Sequence, residues 1–196
     1  TVVAEGGASI QPFELRATDY DTDRHFFLSQ YFIDNYANSL KNYPLINSQI
    51  NVTRIEVWIT NRNASTEDFR SIVAFADIGE SKKPVMVNQN VTPSNNQAIV
   101  SGGNLPFNEA NNIYEPSTLS DIRNISTVET SLRNRFGMEP GTDYSTLENA
   151  RKLDVNEYTL NPQLGFISLN RRLFDGEVLA VAYEYTVAGT VTGSTK

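Results

Sequence analysis

Cysteine is absent from this sequence of 196 residues, and histidine occurs once, as His25. These two shortages exclude CxxC zinc sites, iron–sulfur clusters and thiol nucleophiles, and they leave one imidazole for any acid–base step. Basic side chains are also scarce: 16 Lys and Arg face 23 Asp and Glu, a formal net charge of −7. An acidic chain without a basic cluster is a poor partner for phosphate backbones, so no nucleic acid is expected as a partner. No apolar run approaches the ~18 residues that a membrane helix needs. The opening Thr1-Val2-Val3 has no initiator Met, charged n-region or apolar h-region, so the sequence reads as a segment of something larger, its targeting signal upstream. Lack of cysteine fits a reducing compartment and equally a bacterial envelope protein that does without disulfides.

Asparagine is what the chain has in excess, with 21 residues. Together with Ser, Thr and Gly it implies a neutral-polar surface. A length of 196 residues fits one domain, or one domain with an insertion, large enough to hold a core without disulfides. Phe13, Leu15 and Ala17 alternate with Glu14, Arg16 and Thr18, which predicts a strand over Ile10–Thr18. A helix is predicted from about Arg24 to Leu40, with Leu28, Phe32, Ile33, Tyr36 and Leu40 as its apolar stripe and Asp21 and Asp23 at its start. Strands are predicted over Ile50–Thr60, with Ile55, Val57 and Ile59 on one face and Val52, Arg54, Glu56 and Trp58 on the other, and over Ser71–Ile78. Residues Glu80 to about Asn112 lose all periodicity and read as an insertion, with one short strand near Ala98–Ser101. Ser126-Thr127-Val128-Glu129 reads as a capping box opening a helix with Val128, Leu132 and Phe136 inward and Gly137 at its end. Four further strands are predicted over Leu147–Leu153, Glu157–Leu160, Phe166–Leu169 and Val178–Val187. The sum is a β-rich α+β fold: a mainly antiparallel sheet or sandwich with two helices packed on it and a long Asn-rich insertion.

Few constellations carry chemistry. Asp19, Asp21 and Asp23 alternate as metal ligands can, but the EF-hand template has Arg24 at its glycine position and Gln30 at its bidentate glutamate. The alternative is a turn whose acids solvate a helix start, and no metal, cofactor or catalytic residue is assigned. His25, read as lying in the first turn of an apolar helix, is expected to be structural. No G-x-S-x-G, P-loop or G-x-G-x-x-G motif occurs. Carboxylate pairs for glycoside hydrolysis cannot be recognised from sequence spacing. Four glycosylation sequons, at Asn51, Asn63, Asn90 and Asn124, are what an Asn-rich chain produces by chance. Trp58, Tyr20, Tyr31 and Tyr43 could form a sugar-stacking platform, although at this spacing aromatics more often belong to a core.

Several blocks taken together point to a family: Ala17-Thr18-Asp19-Tyr20-Asp21 with His25 to Phe32, Thr53 to Asn61, Ile72-Val73-Ala74 with Asp77 to Glu80, Glu148 to Leu153, Glu157 to Asn170, and Val178 to Thr186. In this order they resemble the SprA/Sov family of gliding-motility and secretion proteins. Lys82 to Asn124 and the tail after Thr186 depart from the resemblance. The resemblance implies a soluble segment of a very large outer-membrane β-barrel, the translocon of the type IX secretion system. No strand shows the ~10-residue apolar-out, polar-in band of a lipid-facing barrel wall. The expectation is therefore a single extramembrane domain over residues 1–196, with 80–124 a variable insertion and 189–196 a frayed tail. It would be a non-enzymatic interaction domain for secretion and gliding, associated with the outer membrane on a side the sequence does not fix. Its expected partners are the rest of the parent barrel, other secretion-system subunits and secreted cargo. A surface carbohydrate-binding or adhesion module is the alternative. An apolar contact patch is expected on a sheet face or edge strand near the C-terminal end.

Overall fold

The computed structural model describes residues 16, 20–62, 69–76, 99, 100, 103–105, 113 and 116–188. In chain order these form β1 (His25–Phe27), α1 (Gln30–Ser39), β2 (Ile50–Ile59), β3 (Phe69–Phe75), β4 (Ile99–Val100), β5 (Gly103–Asn104), α2 (Pro116–Ile122), α3 (Val128–Phe136), β6 (Tyr144–Lys152), β7 (Tyr158–Asn161), β8 (Phe166–Leu169) and β9 (Leu179–Val187). The strands make a four-stranded sheet in the order β3-β6-β2-β9, a three-stranded sheet β1-β8-β7 and the small hairpin β4-β5. Every strand pair is antiparallel. The α+β, β-rich fold predicted from the sequence is therefore present.

Two bulges organise the large sheet. In β2 the register with β9 shifts between Val52 and Arg54, so Thr53 is an extra residue and Val52 turns to the same side as Ile55, Val57 and Ile59. The predicted strict alternation, which placed Val52 with Trp58, is corrected by this bulge: Val52 is 4% exposed and sits in the main core. In β6 the register with β3 shifts between Arg70 and Ile72, and Asn149 takes φ 54°. Leu147 and Ala150, three residues apart, thus join the same cluster. Asparagine tolerates the left-handed region better than most residues, which suits it to this place.

The main core lies between the β2–β9 half of the large sheet, the small sheet and α1, and it includes Leu28, Phe32, Ile50, Val57, Ile167 and Tyr185. A second core joins α2 and α3 to β3 and the start of β6 through Ile122, Val128, Leu132, Phe136, Met138 and Tyr144. A third cluster gathers Trp58, Leu147, Ala150 and Ala180 from the large sheet itself. Val128, Leu132 and Phe136 face inward as their spacing predicts, and α3 ends on Gly137 in the left-handed conformation at φ 59°.

The N-terminal part of the predicted Arg24–Leu40 helix is instead strand. His25, Phe26 and Phe27 pair with Ser168, Ile167 and Phe166, and the helix begins only after Ser29. Aromatic side chains fit a pleated surface well, and the partner strand supplies ladder hydrogen bonds that overrule the helical period. Asp21 and Asp23 consequently cap no helix, and α1 has no acid in its first turn. Its buried residues are Tyr31, Phe32 and Ser39, whereas Ile33 and Tyr36, assigned inward by sequence, are exposed. The capping box also fails: Thr127, not Ser126, precedes α3, Asn124 Oδ1 accepts from both the Ser126 amide and hydroxyl, and Glu129 accepts from Thr146 Oγ1. The helix α2 had no periodic signal and was not predicted. Strands β6 to β9 lie where the sequence placed them, and β4 falls within Ala98–Ser101. The predicted strand Ile10–Thr18, most of the insertion and the tail after 188 lie outside the described residues.

Candidate functional site

Pairing of β1 with β8 brings two distant stretches together. The Leu169 amide donates to Arg24 O at 2.8 Å and the Leu173 amide to Asp23 O at 2.8 Å. Arg24 reaches back across the same gap, its Nε donating to Leu169 O at 3.1 Å and its Nη2 to Asn170 O at 3.3 Å. The turn before β1 and the loop after β8 thereby border an open recess of about 340 Å³ lined by Tyr20, Asp21, Thr22, Arg24, Asn170, Arg171 and Arg172. A second, narrower cavity of about 180 Å³ is lined by Ile59, Leu153, Glu157, Leu169, Asn170 and Arg171. The two meet at Asn170 and Arg171.

Of the predicted metal candidates, Asp19 lies outside the described residues. Asp21 is committed to Arg24 at 3.1 Å and to His25 at 3.3 Å. Asp23 lies in the left-handed region at φ 57°, its carbonyl taken by Leu173. Among the described residues no three His, Asp or Glu side chains converge on a point that could hold a cation.

His25 is brought beside both a hydroxyl and a carboxylate: Nδ1 lies 2.8 Å from Ser168 Oγ and Nε2 3.3 Å from Asp21 Oδ2. The residue types are those of an acyl-transfer triad, but the setting is that of a sheet surface. His25 and Ser168 are direct partners in antiparallel register, so their contact follows from strand pairing. β8 is the central strand, its backbone amides engaged by β1 and β7, which leaves the hydroxyl without the paired donors of an oxyanion hole. Neither Ser168 nor His25 lines the adjacent cavity. The arrangement stitches the turn to the sheet.

Two bidentate ion pairs stiffen the far side of the cleft. Arg151 donates to both oxygens of Glu157 at 2.7 and 2.9 Å. Arg171 does the same to Glu177 at 2.8 and 3.0 Å, and the Phe174 amide adds a third bond to Glu177 at 2.9 Å. The Glu177 side chain is 2% exposed. Hydrogen bonding from Arg171 holds the Glu177 carboxyl below the ordinary value of 4.5, against the opposing pull of burial. Arg151 does the same to Glu157, and Lys152 to Glu56. Because these folded-state values are depressed, the stability they confer is complete above pH 4.5 and is lost as the pH falls through the depressed values. Thermal melts should therefore be flat near neutrality and drop on acidification below about pH 4.5. Glu177→Gln should cost about 1–3 kcal/mol at neutral pH and flatten that acid limb, the partial exposure of Arg171 keeping the loss at the lower end. An unchanged acid limb in the variant would refute this account.

The aromatic platform does not assemble as predicted. Trp58 and Tyr31 are 9% and 5% exposed and belong to cores, while Tyr20 and Tyr43 are 70% and 78% exposed. For the apolar patch expected near the C-terminal end, the exposed large apolar residues among those described are spread over the chain: Phe27, Ile33, Tyr36, Tyr43 and Leu45 around α1 and the loop after it, Phe69 on β3, and Val155 and Phe174 in later loops. The ring of Tyr36 meets that of Phe27 edge-on at 5.3 Å. On β9 no large apolar residue is exposed. The sequence reading missed the arginine cleft. Its visible trace was the dipeptide Arg171-Arg172, and the third member, Arg24, is joined to it only by the β1–β8 pairing.

No described helix is long and apolar enough to cross a membrane, which leaves strand-built spanning untested. No curated protein matches the chain. Residues 1–172 match the family model SprA_N, described as motility related/secretion protein, and the chain accordingly belongs to that family, as the blocks quoted from its sequence had implied.

Proposed function

We propose that this chain is a non-catalytic interaction domain of an outer-membrane protein translocon, required for protein secretion and gliding motility and lying outside the membrane in the cell envelope. The observation that carries the reading is the family match over residues 1–172. Motility and secretion name the process, and the surface chemistry suggests how the domain takes part. α1 and its following loop expose Ile33, Tyr36, Tyr43 and Leu45, apolar side chains that a protein contact would cover. The covering partner in this reading is the remainder of the parent barrel protein. The family is one of secretion and motility rather than of enzymes, so contact and shape are the means of action.

The test separates docking from folding. Ile33→Asp combined with Leu45→Asp alters two exposed positions, 47% and 70% accessible, and should leave the melting temperature of the domain within a few degrees. In cells that carry the substitutions in the full-length protein, surface delivery of secreted cargo should fall at least about tenfold, the effect of roughly 1.4 kcal/mol or more lost from one contact. Normal secretion and gliding from a fully expressed double variant would reject the docking role of this face. Normal secretion after deletion of the whole segment would reject the proposal itself.

A further inference from the structure

We infer that the cleft meeting at Asn170 and Arg171 binds an extended peptide segment in which a carboxylate side chain sits beside an aliphatic one. The larger cavity is a basic concavity on an acidic molecule. Arg24, Arg171 and Arg172 line it, Arg24 paired with Asp21 and Arg171 with Glu177, so Arg172 supplies its unopposed positive charge on a chain whose net charge is −7. A recess with a net positive charge concentrates anionic ligands even when the whole molecule repels them.

The donors are partly spent but not exhausted. A guanidinium carries five N–H donors. Arg24 gives three contacts, to Leu169 O, Asn170 O and Asp21. Arg171 gives three, two to Glu177 and one to Arg172 O. Those contacts fix the two planes in advance, so little ordering remains to oppose binding. Arg172 is exposed and makes no ion pair with a described carboxylate. Arginine planes with N–H groups to spare match a carboxylate, which they can hold in a fork.

The neighbouring cavity supplies the second half of the specificity. Its lining includes Ile59, Leu153 and Leu169, all members of the main core, and its one acid, Glu157, is already neutralised by both nitrogens of Arg151. A volume of about 180 Å³ suits a single aliphatic side chain, since a dry cavity of about 150 Å³ takes a benzene-sized group. A saccharide would leave these apolar walls unused, which favours the peptide. The site is a property of this chain alone and is tested by direct titration, so its failure would leave the secretion reading standing.

The experiment titrates the isotope-labelled chain with blocked tripeptides Leu-Glu-Leu, Leu-Gln-Leu and Ala-Glu-Ala, and separately with glucuronate, following amide and arginine Nε–H resonances. Leu-Glu-Leu should shift Asn170, Arg171 and Arg24 with a Kd of about 1 mM or tighter. The glutamine and alanine peptides should each bind at least about fivefold more weakly, and added salt should weaken only the glutamate peptides. Arg172→Glu, an exposed position, should weaken Leu-Glu-Leu about tenfold while resonances of the main core stay in place. Equal binding of the Glu and Gln peptides would overturn the carboxylate half, and equal binding of the Leu and Ala peptides the aliphatic half. Glucuronate binding as tightly as Leu-Glu-Leu would make this a saccharide site and overturn the proposal. So would the absence of shifts up to about 20 mM peptide.

Discussion

Gly165→Ala is expected to destabilise the protein by about 2–5 kcal/mol, because two independent penalties fall on one methyl group. Gly165 closes the β7–β8 hairpin at φ 63°, where a side chain crowds its own backbone at a cost of roughly 1–2 kcal/mol. Its amide donates to Asn161 O and its carbonyl accepts from the Leu28 amide, both at 2.9 Å, so the turn cannot simply relax. A Cβ placed there would overlap the ring of Phe32. That ring is 3% exposed and wedged in the main core, where overpacking adds about 1–3 kcal/mol. For a chain of this length the melting temperature should fall by about 10 °C. A double variant with Phe32→Ala should cost clearly less than the sum of the two single changes, since the second substitution removes the obstacle that the first one meets. A loss below about 1 kcal/mol for Gly165→Ala alone would show that the hairpin does not press on α1 in this way.

Trp58→Ala should be at least as damaging, at about 3–5 kcal/mol. Trp58 is 9% exposed and anchors the third cluster with Leu147, Ala150 and Ala180. The ammonium of Lys152 lies 5.8 Å from its ring centre and is tied to Glu56 at 3.0 Å. Truncation would thus leave a cavity and also remove the surface on which the Lys152 stem packs. Chemical denaturation should show a lower midpoint with an unchanged slope. If the variant were as stable as the parent, Trp58 would not be a core residue and the sugar-platform reading would regain its best candidate. As the structure stands, loss of glycan binding in this variant would report unfolding and not a lost contact.

What the sequence made legible was set by how far apart the interacting residues lie. Strands β6 to β9 follow one another in sequence with no helix between them, and their period-two patterns sit close to punctuating residues such as Asn161-Pro162 and Asp175-Gly176, so local rules sufficed. The segment His25–Phe27 was misread because its helical period was complete and its competitor, Phe166–Ser168, lay about 140 residues downstream, beyond any windowed pattern. Thr53 and Asn149 carry no bulge signature that a single sequence reveals, and one inserted residue reverses the facing of everything beyond it. The cleft was illegible for the same reason as β1. The sequence groups Asp21 with its neighbours Asp19 and Asp23, whereas its partners in the fold are the Arg24 guanidinium and the His25 imidazole. Composition could say that the molecule is acidic, but not that three of its arginines would be gathered into one hollow.

The shifted registers at Val52/Arg54 and Arg70/Ile72 bear on how the sheet behaves under tension. A uniform pair of strands can creep past one another two residues at a time and re-form each rung. An irregular rung has only one mate, so β2 and β9, aligned from Ile50–Val187 to Ile59–Leu179, cannot slide piecemeal when hauled along their length. They must give way all at once or hold.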